Sequence, residues 1–196
     1  MQMLNIEKFL NGLQSKKQSV NMARRLLGYT IEDVSQRYLE IGCGTGVVAA
    51  YLSKEYEGEF IGIDIDPQQI ALAQKEGAGL PNVHYLEADA AALPFERGSF
   101  DVVLSFGVLH HIKNWLDVLK EVKRVLKPGG YFVYADIIYP ERITKMDNSS
   151  KVSFGLVTVD IDELNSFLEK FGFTNVHSKW DNMIICRNYE AVYRRN

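Results

Sequence analysis

No stretch of this 196-residue chain approaches the roughly 20 consecutive apolar residues that a membrane-spanning helix needs, so no membrane span is expected. Cysteine is scarce: Cys43 and Cys186 stand far apart and form no C-x-x-C pair. With only four scattered histidines beside them, a zinc cluster is excluded, and no metal site is expected. Two such thiols fit a reducing cytoplasm better than a disulfide framework. A basic excess is also missing. Lys+Arg number 22 against 25 Asp+Glu, a formal charge of −3, so no nucleic-acid partner is expected. The opening MQMLNIEKFLNGLQSKKQSV lacks both the continuous apolar run and the small-residue cleavage site of a secretory signal. What is present is ordinary for a globular domain: 46% hydrophobic and 24% charged residues, over a length that suits one domain.

From residue 37 to 137 the chain alternates strand-like and helix-like segments, which predicts an α/β fold with a parallel sheet. Strands are expected at Arg37–Ile41, Glu59–Asp64, Val83–Asp89, Phe100–Ser105 and Tyr131–Ile137. A helix is expected over Val47–Tyr56, with Val48, Tyr51 and Leu52 turned inward. Asp66-Pro67-Gln68-Gln69 opens another, with Asp66 as cap and Pro67 at the first helical position, ending near Gly77. Asn114 is the expected cap of the next, whose stripe is Leu116, Leu119, Val122, Lys123 and Leu126, with Trp115 packing in its first turn. Lys127-Pro128-Gly129-Gly130 should end it. Asp160–Phe171 reads as a helix and Thr174–Arg194 as two antiparallel strands turning near Asp181 or near Arg187–Asn188. Residues 138–159 are too long and aperiodic for a routine connection and suit a substrate loop. Residues 1–30 read as amphipathic helix, either a moving lid or a static packing element.

The sharpest motif is Tyr38-Leu39-Glu40-Ile41-Gly42-Cys43-Gly44-Thr45-Gly46, a strand running through three glycines into a helix. Glycines permit a tight turn at positive φ and let a ligand touch backbone, and the N–H groups opening a helix favour polar or anionic atoms. Asp64 ends the second strand twenty residues after Gly44, where doubly wound nucleotide binders place a ribose-binding acid. Gly44–Ala49 also satisfies G-x-G-x-x-A, so an NAD-type oxidoreductase competes. Against it, Glu40 stands two residues before the first glycine and suits a ligand carrying a cationic amine, and no Tyr-x-x-x-Lys pair is found.

With these features in place, the chain resembles the class I S-adenosylmethionine-dependent methyltransferases, in particular the small-molecule branch similar to the enzymes of ubiquinone and menaquinone biosynthesis. The resemblance continues in register through Glu87-Ala88-Asp89-Ala90, Leu93-Pro94-Phe95, Ser99-Phe100-Asp101, Leu109-His110-His111 and Arg124–Gly130, and covers about residues 35–137. It implies a Rossmann-like sheet of seven mostly parallel strands, helices on both faces and an antiparallel C-terminal hairpin, in a single domain over 1–196. It implies S-adenosylmethionine as cofactor and S-adenosylhomocysteine as product. Gly42, Gly44 and Gly46, with Cys43 among them, would line the methionine portion. Glu40 would hold that turn and reach toward the amino group. Asp64 would take the ribose hydroxyls, Ile65 would lie on the adenine, Asp89 would accept from its amino group and the Ala90 N–H would meet the ring. Ser105 and Phe106 would face the methionine end. His110 and Asp136, at strand ends, are the catalytic candidates. The expected partner is a small-molecule acceptor; a cofactor-binding regulatory protein without turnover is the rival from another class. Oligomeric state is left open by the sequence.

Overall fold

A computed structural model describes residues 16–30, 36–141, 143–145, 156–183 and 186–196. Seven strands form one sheet: β1 (Gln36–Ile41), β2 (Gly58–Asp64), β3 (Val83–Glu87), β4 (Phe100–Phe106), β5 (Leu126–Ile138), β6 (Phe173–Asn182) and β7 (Arg187–Arg195), in spatial order β3-β2-β1-β4-β5-β7-β6. The first five pair in parallel, and β7 runs antiparallel to both β5 and β6. This is the mostly parallel, doubly covered sheet that the alternating pattern predicts. Among the described residues it is flanked by the helices α1 (Lys16–Leu27), α2 (Val47–Leu52), α3 (Pro67–Glu76), α4 (Trp115–Val125) and α5 (Ile161–Lys170).

The sheet separates two cores by strand alternation. Leu39 and Ile41 of β1 pack on the side of α4 and α5, with Val118, Leu119, Val122 and Leu164. Tyr38 packs on the other side with α1, α2 and α3, through Leu26, Leu52 and Ala73. Central β4 is buried on both faces, hence its run Val102-Val103-Leu104.

Four local expectations are corrected. The helix after the glycine turn stops at Leu52, and Tyr51 points outward, 42% exposed, where its hydroxyl accepts from Arg24 at 3.1 Å. The buried stripe of α4 is Trp115, Val118, Leu119, Val122 and Val125, and the Asn114 side chain bonds Asp117 at 3.2 Å instead of capping the backbone. Lys127-Pro128-Gly129-Gly130 lies inside β5: Leu126 already pairs with Phe100, and the extra residues are absorbed where the register shifts before Val102 meets Tyr131. Neither expected turn position is the turn of the hairpin, because Asp181 still pairs with Asn188 and Asn182 with Arg187.

The described part of the N-terminal segment is a packed helix. Val20, Ala23, Leu26 and Leu27 are buried, and Arg25 donates twice to the Glu190 carboxylate, at 2.7 Å each. Tyr29 then stacks on His177 with ring centroids 3.9 Å apart. Residues 1–15 of the expected lid, and residues 142 and 146–155 of the expected substrate loop, lie outside the described residues.

Candidate functional site

At the carboxyl end of β1 the chain turns through Gly42–Gly46 into α2. Gly42 and Gly46 have φ of 65° and 76°. A Cβ on Gly42 would lie 2.4 Å from the Val108 side chain, and one on Gly46 would lie 2.6 Å from the Tyr85 ring, so neither position admits another residue without movement. The turn is tied to β2: the Cys43 N–H donates to the Ile63 carbonyl at 2.8 Å and the Gly44 N–H donates to Asp64 Oδ2 at 3.0 Å. Asp64 Oδ1 accepts from the Asp66 N–H at 3.0 Å. Asp66 itself caps α3, accepting from the Gln68 N–H at 2.8 Å, with Pro67 at the first helical position. The two acids thus have different structural places: Asp64 holds the turn and Asp66 caps a helix.

Glycine at the α2 cap position leaves no side chain for the orphan N–H groups of the helix start. Glu40, buried on β1, takes over: its Oε2 accepts from the Ala49 N–H at 3.1 Å. Burial, and secondarily the Asp64 charge, push the Glu40 carboxyl up to about 8 despite that hydrogen bond. Burial and the same two acids push the Cys43 thiol well above its ordinary value, so it stays protonated and is no nucleophile.

Beyond the turn, at the carboxyl edge of β1, β2 and β3, lies a cleft of about 560 Å³. Gly42, Asp64, Ile65, Asp89 and Ala90 line it, five of the expected cofactor contacts brought together from three strands. Ile65 is 69% exposed, a large apolar side chain standing open at the cleft. Asp89 Oδ1 accepts from the Ala91 N–H at 2.8 Å, which orders the turn after β3. Glu40, Cys43, Gly44 and Gly46 are not part of the wall. Ser105 is fully buried, its hydroxyl without a hydrogen-bond partner, and Phe106 packs half-buried against the core; neither lines the cleft. The wall's fourth side is the segment 107–114, which the sequence reading did not single out as a whole; Val108 lies on Gly42, and His111 and Lys113 face the cleft. Its one sequence signal was position, directly after β4. A wider depression of about 630 Å³ sits at the opposite sheet edge, around Glu55, Glu57 and His84, away from the glycine turn.

The two histidines separate. His110 is buried, its Nδ1 against Asp136 Oδ1, while His111 is exposed at the cleft and its ring lies 4.0 Å from that of His110. Asp136 also accepts from the His110 N–H at 3.3 Å, the Ile137 N–H at 2.8 Å and the Tyr134 hydroxyl at 3.4 Å. The expected substrate loop reaches the same spot from both ends: Tyr139 sets its edge against His110 at 5.3 Å, and the Val157 N–H donates to the His110 carbonyl at 2.8 Å.

Comparison with known proteins identifies the family. The methyltransferase domain family matches residues 39–134. A phthiotriol/phenolphthiotriol dimycocerosates methyltransferase of Mycobacterium leprae is 40% identical over 103 residues, which cover 52% of this chain and 38% of that one. Demethylmenaquinone methyltransferase of Thermus thermophilus is 36% identical over 152 residues, covering 76% of this chain and 64% of that enzyme. The chain spans half or less of the length of the mycobacterial relatives. Among solved structures, an S-adenosylmethionine dependent methyltransferase from Mesorhizobium loti matches with a TM-score of 0.73 at 18% identity, over 92% of this chain and 98% of that one, a likeness of fold alone. Strand order, glycine turn, Asp64 and the matched segment agree, and the chain belongs to the class I S-adenosylmethionine-dependent methyltransferase family, with its methyltransferase domain in residues 39–134.

Proposed function

We propose that the protein transfers a methyl group from S-adenosylmethionine to a small organic acceptor whose reacting atom carries a proton. The observation that carries the cofactor reading is Asp64 beside Ile65. Each Asp64 oxygen accepts one backbone N–H, which leaves acceptor capacity on both for a pair of hydroxyls. The open apolar Ile65 next to it fits the face of a purine. Asp89 and the Ala90 N–H would meet the edge of that ring. Glu40, buried under the turn, is suited to a cationic amine, which would draw the carboxyl back to its charged form. When bound, the cofactor supplies an electrophilic methyl on a sulfonium.

The chain's own work is then alignment and exclusion of water. The glycine turn, Asp64 and Asp89 would hold the donor while an acceptor takes its methyl, with the sulfur leaving as a neutral thioether that keeps the bond's electron pair. Asp136 holds the His110 imidazole through Nδ1, which leaves Nε2 as the ring's accepting nitrogen. A buried, carboxylate-held imidazole at the strand ends suits the proton lost by a hydroxyl, phenol or activated carbon. The relatives acting on demethylmenaquinone and on phenolphthiotriol dimycocerosates support a ring or hydroxyl acceptor here.

His110→Asn is expected to lower kcat about 100- to 10,000-fold while leaving S-adenosylhomocysteine affinity within about twofold. If His111→Ala loses the rate and His110→Asn does not, the proton falls to the exposed histidine. The reaction itself is tested by label transfer from methyl-labelled S-adenosylmethionine to a panel of demethylated quinols, phenols and hydroxy-lipids. Label in a product supports the proposal. Cofactor binding with no transfer to any acceptor class would favour a binding protein without turnover.

A further inference from the structure

Tyr85 sits in the middle of β3, buried and outside the cleft wall. Its ring fills a slot made by three glycines from three elements. A Cβ would come within 2.6 Å of the ring at Gly46, 2.6 Å at Gly62 and 2.7 Å at Gly77. Gly46 caps α2, Gly62 lies in β2 and Gly77 ends α3. The Tyr85 hydroxyl donates to the Gly46 carbonyl at 2.5 Å. That carbonyl also accepts from the Ala50 N–H at 3.1 Å, the bond that opens α2. Phenylalanine would fill the slot equally well, so packing alone does not call for the hydroxyl. Burial and the neighbouring Glu40 push the phenol well above its ordinary value and keep it a donor.

We infer that Tyr85 is a positioning residue for the amino-acid end of the cofactor: its hydroxyl fixes the last glycine of the turn, and so the height at which the Gly42–Gly46 backbone meets the ligand. This rests on the cofactor reading above. The nucleoside end is held mainly from β2 and β3, by Asp64, which shares one bond with the turn at Gly44, and by Asp89. A hydroxyl acting through the turn should therefore affect one half of the ligand more than the other.

Tyr85→Phe keeps the ring in its slot, and the Gly46 carbonyl keeps its helical partner, so the variant should fold. Calorimetric titration should show S-adenosylhomocysteine affinity reduced about tenfold, the size of one lost hydrogen bond to a ligand-bearing turn. 5′-Methylthioadenosine has the nucleoside and sulfur but no amino-acid portion, and its affinity should change by less than about twofold. Unchanged S-adenosylhomocysteine affinity, or an equal loss for both ligands, would overturn the inference and leave Tyr85 a packing residue. If the wild-type protein binds neither ligand, the cofactor reading itself fails.

Discussion

Asp64→Ala is expected to weaken S-adenosylhomocysteine binding about 30- to 150-fold, a loss of about 2–3 kcal/mol. The size follows from the number of bonds the carboxylate makes. It would accept from two ligand hydroxyls with charge assistance, and it already anchors the Gly44 and Asp66 N–H groups. Removing it takes away the ligand contact and frees the turn that must meet the rest of the ligand. Asp66, two residues on, supplies the control. Its carboxylate accepts one N–H at the start of α3, so Asp66→Ala should cost about 1 kcal/mol of stability and leave affinity within about twofold. Calorimetry on the two variants decides; loss of binding in Asp66→Ala alone would reverse the assignment.

Glu40→Gln should separate stability from binding most clearly. The buried carboxyl titrates near 8, against an ordinary 4.5 in the unfolded chain, with burial as the main cause. The folded state therefore holds a proton that the unfolded state has lost. The stability of the wild-type protein falls as pH rises from about 4.5 and levels off above about 8, a change on the order of 5 kcal/mol. Glutamine stays neutral and can still accept from the Ala49 N–H. The variant should match the wild-type Tm near pH 4, gain on it through neutral pH and exceed it by several degrees at pH 8.5. The same variant should bind S-adenosylhomocysteine at least tenfold more weakly, because the carboxyl proposed to ionise against the ligand amine is gone. Scanning calorimetry over pH with a matched titration reads both; a variant no more stable at pH 8.5 than at pH 4, relative to wild type, would contradict the buried-carboxyl account.

The first half of the candidate cofactor site is legible because its chemistry is local. Gly42, Gly44 and Gly46 follow directly on a strand, Asp64 ends the next strand, and each must be that residue type to turn the chain or accept hydrogen bonds. The sheet was legible for the same reason, since β1 to β4 are short apolar runs punctuated by turn residues. What escaped depends on contacts distant in sequence. Nothing in His110-His111 tells which ring is buried; that is decided by Asp136, on the neighbouring strand, and by Tyr139 and Val157. Tyr85 reads as an ordinary strand residue until Gly46, Gly62 and Gly77 are seen to converge on it. Lys127–Gly130 reads as a helix stop, but α4 ends at Val125, and the strand that begins at Leu126 absorbs the turn residues beside Phe100. Helical spacing places Tyr51 inward, yet the helix is too short to bury both its faces, and Arg24 and Glu55 hold that side at the surface.

The most direct measurement is a pair of isothermal titrations of the wild-type protein, one with S-adenosylhomocysteine and one with NAD. Saturable one-to-one binding of S-adenosylhomocysteine, and no heat with NAD at the same concentrations, is the expected result. Binding of NAD without S-adenosylhomocysteine would contradict the account at its centre.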